Sequence, residues 1–106
     1  MEININCDLG EKSKLHSDHN DPELLSIVNS ANIACGYHAG DEETMNKVIQ
    51  ISKKNNVSIG AHPSFKDVEN FGRKRLNLNS SEIKKLIIDQ YEICLLYTSD
   101  AADDDA

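Results

Sequence analysis

The sequence predicts an α/β protein built on a parallel sheet, with this chain supplying the opening βαβαβ portion of a larger domain. Three observations carry that prediction. Short apolar segments near residues 3–7, 30–35 and 57–61 alternate with stretches whose apolar residues fall at helical spacing. That alternation is the pattern of parallel βαβ units. Each apolar segment also runs into a turn marked by glycine or proline that delivers a polar side chain: Asp8, then His38, then His62. Finally, the chain has 106 residues, whereas a complete barrel of such units takes about 250.

The elements follow in order. Ile3, Ile5 and Cys7 alternate with Glu2, Asn4 and Asn6, a period-two strand signal that Asp8-Leu9-Gly10-Glu11 interrupts. Lys12 to Asn20 is polar and loop-like. Asp21-Pro22-Glu23 opens a helix, with Asp21 as cap, Pro22 in the first turn and Glu23 complementing the dipole. Leu24, Leu25, Ile27 and Val28 give it an apolar stripe. Ser30 to Cys35 is a second strand of small residues.

Asp41 caps the next helix, in which Met45, Val48, Ile49 and Ser52 share a face. Lys53 and Lys54 sit where the dipole is negative. Val57 to Ala61 forms the third strand, and Pro63 to Arg75 a loop. Asn79 with Glu82 resembles a capping box, and Ile83, Leu86, Ile87 and Tyr91 line one face of the last helix. Residues 96–106 then turn into an Ala/Asp run without apolar periodicity, which cannot bury a face. They are expected to be a non-native acidic tail that does not pack, leaving residues 1–95 as the domain portion.

Charge and cysteine usage narrow the function class. The net charge is −7, but residues 96–106 hold four aspartates and no base. Without them, 14 acids stand against 11 bases. No basic patch marks a nucleic-acid partner, and no apolar run is long enough to span a membrane. The opening residues lack the basic-then-apolar pattern of a signal peptide, so none is expected. Cys7, Cys35 and Cys94 are odd in number and lack CxxC spacing, so reduced thiols and a cytoplasmic setting are expected. Cys7 and Cys35 are read as small buried hydrophobes on strands.

In parallel α/β proteins, function collects at the carboxyl ends of the strands. That rule selects Asp8, His38 with Asp41, and His62. Adjacent strands lie about 4.8 Å apart, so these ends can converge on one small molecule. Asp8 is a candidate base or metal ligand, or a turn aspartate before Gly10. His38 and His62 are candidate acid/base groups or metal ligands. Asp41 is assigned to capping. Gly36 and Gly40 frame His38 and can present amides to a ligand.

Asn32 is a candidate substrate contact, and Arg73 in Phe71-Gly72-Arg73 a candidate carboxylate fork. His16 and His19 lie in a polar loop and are read as solvated surface. No P-loop, GxSxG or CxxC pair occurs.

Asn6-Cys7-Asp8-Leu9-Gly10-Glu11, Ser30 to Asp41, Gly60 to Ser64 and Phe71-Gly72-Arg73 closely resemble the LamB/YcsF family, up to about Gln90. The resemblance implies a distorted (β/α) TIM-like barrel of the glycoside hydrolase/deacetylase type. It implies ATP-dependent opening of the 5-oxoproline lactam to glutamate, with ATP as co-substrate and 5-oxoprolinase subunits B and C as partners. It points to Asp8, His38 and His62 as the site. The family's Lys-Pro-His-Gly stretch has no counterpart here, so the fragment alone is expected to be inactive. Two alternatives stay open: a divalent-metal-dependent deacetylase using Asp8, His38 and His62, and a non-catalytic scaffold that binds a small acid.

Overall fold

A computed structural model describes residues 3–14 and 16–103 of the chain. The order is β1 (Asn6–Leu9), α1 (Asp21–Leu25), β2 (Ser30–Ala34), α2 (Glu42–Lys54), β3 (Ser58–His62) and α3 (Ser80–Asp103). The three strands form one parallel sheet in the order β1-β2-β3. Asp8 pairs with Asn32 and Asn32 with Gly60, while Ala34 pairs with His62.

This register sorts the side chains, because successive strand residues point to opposite faces. Leu9, Ala31, Ile33, Ile59 and Ala61 fall on one face and join the apolar core with Leu25, Met45, Val48 and Ile49. All three helices belong to that side, with α2 packed against both α1 and α3. Ile33 and Ile49 are fully buried, and burying each such side chain stabilises by about 1.5–3 kcal/mol. Asn6, Asp8, Asn32, Gly60 and His62 fall on the opposite face, where Asn6 and Asp8 are exposed.

Two helix starts form as their sequences dictate. The Asp41 side chain accepts the Thr44 N–H at 2.7 Å. Asn79 and Glu82 exchange reciprocal bonds at 2.9 and 3.2 Å, completing a capping box.

Four expectations are corrected. Ile3 and Ile5 are 74% and 48% exposed, and β1 begins only at Asn6, so the early alternation does not mark a buried face. Asp21 does not cap α1; Asn20 holds that position without a side-chain bond. Instead the buried Asp21 carboxylate accepts the Gly10 N–H at 3.1 Å. Its pKa is pushed up by burial, against the pull of that same bond.

In α3, the face carrying Ile83, Ile87 and Tyr91 is exposed. The residues turned inward are Gln90 and Cys94, flanked by Ile93 and Tyr97. Nor does packing stop at Leu95. Tyr97 packs on the core, and the Thr98 carbonyl accepts from Lys53 Nζ at 2.7 Å. An alanine- and aspartate-bearing segment can extend a helix already anchored upstream, since alanine has the best helix propensity. Residues 104–106 of the expected tail lie outside the described residues.

Candidate active site at the strand carboxyl ends

The turns after β1 and β2 are held together by backbone. Gly10 (φ +70°) and Gly40 (φ +80°) lie back to back, and a Cβ on Gly40 would collide with the Gly10 carbonyl. The Gly40 N–H donates to the Lys12 carbonyl at 2.8 Å. That amide is therefore committed to structure, and the expectation that Gly40 offers it to a substrate is corrected. Gly36 (φ +88°) has open space around it.

These turns bring four side chains together. His38 is buried, and its Nε2 lies 2.7 Å from Glu11 Oε2. The same Oε2 is 3.8 Å from His62 Nδ1, and Asp8 Oδ1 is 3.7 Å from that nitrogen. The two imidazole rings are 4.9 Å apart. Asn32 steadies Asp8: its Nδ2 donates to Asp8 Oδ1 at 3.1 Å and to Asn6 Oδ1 at 3.0 Å. Asn32 thus orients the carboxylate from across the sheet.

Phe71 closes one side, edge-on to His38 with ring centroids 5.0 Å apart. Its φ of +57° is uncommon for a bulky residue, and such strain concentrates at functional sites. Arg73 is exposed, with its guanidinium 5.2 Å from the Phe71 ring centroid. It joins the site through that ring rather than by contact with the histidines. His16 also stacks on Phe71 at 4.7 Å, and His19 bonds Ser17 at 2.6 Å. Below the site, Cys35 is an unreactive thiol: burial, helped by the neighbouring Cys94, pushes its pKa up to about 11.

Comparison with known proteins places the chain in a family. The LamB/YcsF family model matches residues 3–101. The chain belongs to the LamB/YcsF family. It is 50% identical over 90 residues to a Staphylococcus epidermidis protein named as the A subunit of 5-oxoprolinase, and 42% identical to the one from Staphylococcus aureus. In both cases the match takes in 85% of this chain and 36% of the relative. A lactam utilization protein from Thermus thermophilus superposes with a TM-score of 0.88 at 29% identity. That superposition covers 96% of this chain and 41% of the other.

Within this LamB/YcsF chain, the structure brings Asp8, His38, His62 and Asn32 together, with Arg73 at the edge of the cluster against the Phe71 ring. The residue that sequence reasoning missed is Glu11. It follows Asp8 by three positions and stands one residue past a glycine. The glycine before it was the one sequence signal, and only the structure shows that Gly10 takes a positive φ of +70° there. Among the described residues, the three-residue group suited to a metal ion is Glu11, His38 and His62, whose donor atoms lie within 4.8 Å of one another. Glu11, not Asp8, is the carboxylate of that group. No helix of the described residues is long and apolar enough to cross a membrane.

Proposed function

We propose that the complete protein is the A subunit of an ATP-dependent 5-oxoprolinase, which opens the lactam of 5-oxoproline to glutamate together with subunits B and C. One observation carries this reading. Asp8, Glu11, His38 and His62 converge at the ends of three adjacent parallel strands, in a chain whose relatives are named as the A subunit of 5-oxoprolinase. Among the described residues, no helix covers the polar face bearing Asn6, Asp8 and Asn32. That supports a closed (β/α) barrel in the full protein, where this face would line the interior. The chain spans about 36% of its curated relatives, so on this reading the fragment alone does not turn over.

The chemistry follows from the contacts. His62 Nδ1 is buried and faces two carboxylates, while the side chain as a whole keeps 31% of its surface exposed. Asp8, held by the Asn32 amide beside this ring, is the group placed to take a proton from water. Transfer of the ATP γ-phosphoryl group to the lactam oxygen, with ADP leaving, activates the carbonyl carbon; the water oxygen then adds to that carbon, and the ring C–N bond breaks. The ring nitrogen takes a proton and becomes the amino group of glutamate. The acyl phosphate so formed is hydrolysed to the glutamate carboxylate and inorganic phosphate, so that each ring opened consumes one ATP. Gly36, with open space at its backbone, is the remaining candidate of the turn for approaching the carbonyl oxygen.

The test is glutamate release from 5-oxoproline by the full-length parent with its B and C partners. Release that needs ATP is expected, with loss of at least about a hundredfold in His62→Ala. No release from the intact assembly would refute the function. Undiminished release in a variant lacking both Asp8 and His62 would refute the site.

A further inference from the structure

We propose that Glu11, His38 and His62 form a binding site for one divalent first-row transition cation of the zinc class. The donor set is the first reason. Two imidazoles and one carboxylate suit zinc-like cations, whereas magnesium and calcium prefer all-oxygen surroundings. A single oxygen, Glu11 Oε2, faces both rings, at 2.7 Å from His38 Nε2 and 3.8 Å from His62 Nδ1. Ligands bound about 2.0–2.1 Å from zinc lie roughly 3.4 Å from one another, and these two separations straddle that value.

The second reason is an unmet bonding need. His62 Nδ1 is shielded from solvent and has no hydrogen-bond partner, although it points at Asp8 and Glu11 from 3.7 and 3.8 Å. Those separations are too long for a hydrogen bond. Buried polar atoms are normally satisfied, and a cation between His62 and Glu11 would satisfy this one. Ligand rigidity is the third reason. His38 is 2% exposed and fixed by Phe71. The Gly10 N–H bond to Asp21 and the Gly40 bond to Lys12 hold the turn that carries Glu11. Asp8, tied to Asn32, stands beside the three ligands. When bound, such a cation supplies a Lewis acid for a carbonyl oxygen.

The inference rests on reading this cluster as the reaction centre, but its test does not depend on turnover. Calorimetric titration of the full-length parent with Zn²⁺ alone is expected to show one saturable site per chain. Glu11→Gln keeps the shape, removes the charge and is expected to weaken binding by at least about tenfold. His16→Gln and His19→Gln, in the exposed loop, leave the titration unchanged. Side-chain NMR provides the second readout: added Zn²⁺ shifts the resonances of two histidines, and these persist in the His16 and His19 variants.

Absence of a saturable site in the folded parent overturns the proposal. So does unaltered binding in Glu11→Gln, or shifts confined to His16 and His19. ATP-dependent glutamate release that proceeds at full rate without any Zn²⁺ binding would remove the cation and leave the reaction standing. Saturable binding by a parent that releases no glutamate with its partners would do the reverse.

Discussion

The two faces of the three-stranded sheet share one backbone and differ in nearly everything else. The helix-facing side carries Leu9, Ala31 and Ile33, each at most 1% exposed. The other side carries Asn6, Asp8, Asn32 and His62, which bond or face one another across the strands. Adjacent residues on one strand therefore belong to different physical problems. Ile33 is there because burying apolar surface is favourable. Asn32 is there because a carboxylate needs a fixed orientation. A one-residue slip in register would exchange the two sets and destroy both core and site.

The largest effect is expected from crossing the faces with paired substitutions. Asn32→Ala in the full-length parent should lower kcat for glutamate release by about tenfold or more, because Asp8 loses its orienting donor. Its chemical-denaturation midpoint should move little, since one net hydrogen bond is worth about 0.5–1.5 kcal/mol. Ile33→Ala should do the opposite, costing about 2–5 kcal/mol of stability by opening a cavity under the sheet. Equal stability losses for the two would erase the distinction between the faces.

Gly72→Ala comes next. Gly72 sits at φ +74°, and a Cβ there would run into Ser64 Oγ and the His38 Cβ. A loss of about 1–3 kcal/mol is expected in denaturant unfolding, together with slower turnover because His38 must shift. A neutral result would show that the loop after β3 gives way freely.

The smallest effect is electrostatic. The Thr44 N–H that Asp41 accepts holds its carboxyl below the usual carboxylate range. The folded-state pKa is thus lower than the unfolded one, near about 3.9. The cap's contribution is complete above that value and fades as pH falls through the lowered folded value. Asp41→Ala should cost about 1 kcal/mol at neutral pH and flatten the acid side of the stability profile, read by thermal unfolding from pH 2 to 7. A profile with the same acid slope as the parent would assign the cap no titrating role.

The parallel order and the strand-end histidines were legible because both depend on local pattern. Hydropathy period gives strand or helix, and glycine or proline gives the turn. Glu11 was not legible, since its place depends on the backbone twist at Gly10 rather than on spacing. Asp21 was misassigned because a buried carboxylate receiving a distant amide looks, in sequence, like an ordinary cap. The inward face of α3 was missed for a related reason. Hydropathy favours Ile83, Ile87 and Tyr91, but the helix turns Gln90 inward, where its amide meets specific backbone partners. Hydropathy patterns carry no information about such matches. Arg73 was read as a carboxylate fork by type alone, and its place against the neighbouring Phe71 ring was not legible.

Gln90 also sets a timescale. Its Oε1 accepts the Ser64 N–H at 2.8 Å, and its Nε2 donates to the Ser64 carbonyl at 2.7 Å and to the Leu86 carbonyl at 3.0 Å. Ser64 follows His62 by two residues in a loop, and loop amides ordinarily exchange with solvent quickly. Here the amide is locked to a helix side chain that is fully buried. Its hydrogen can leave only when α3 releases the loop, so Ser64 should exchange with the slow rate of α3 rather than that of its neighbours. That single amide would then report, from beside the reaction centre, how often the outer helix lets go.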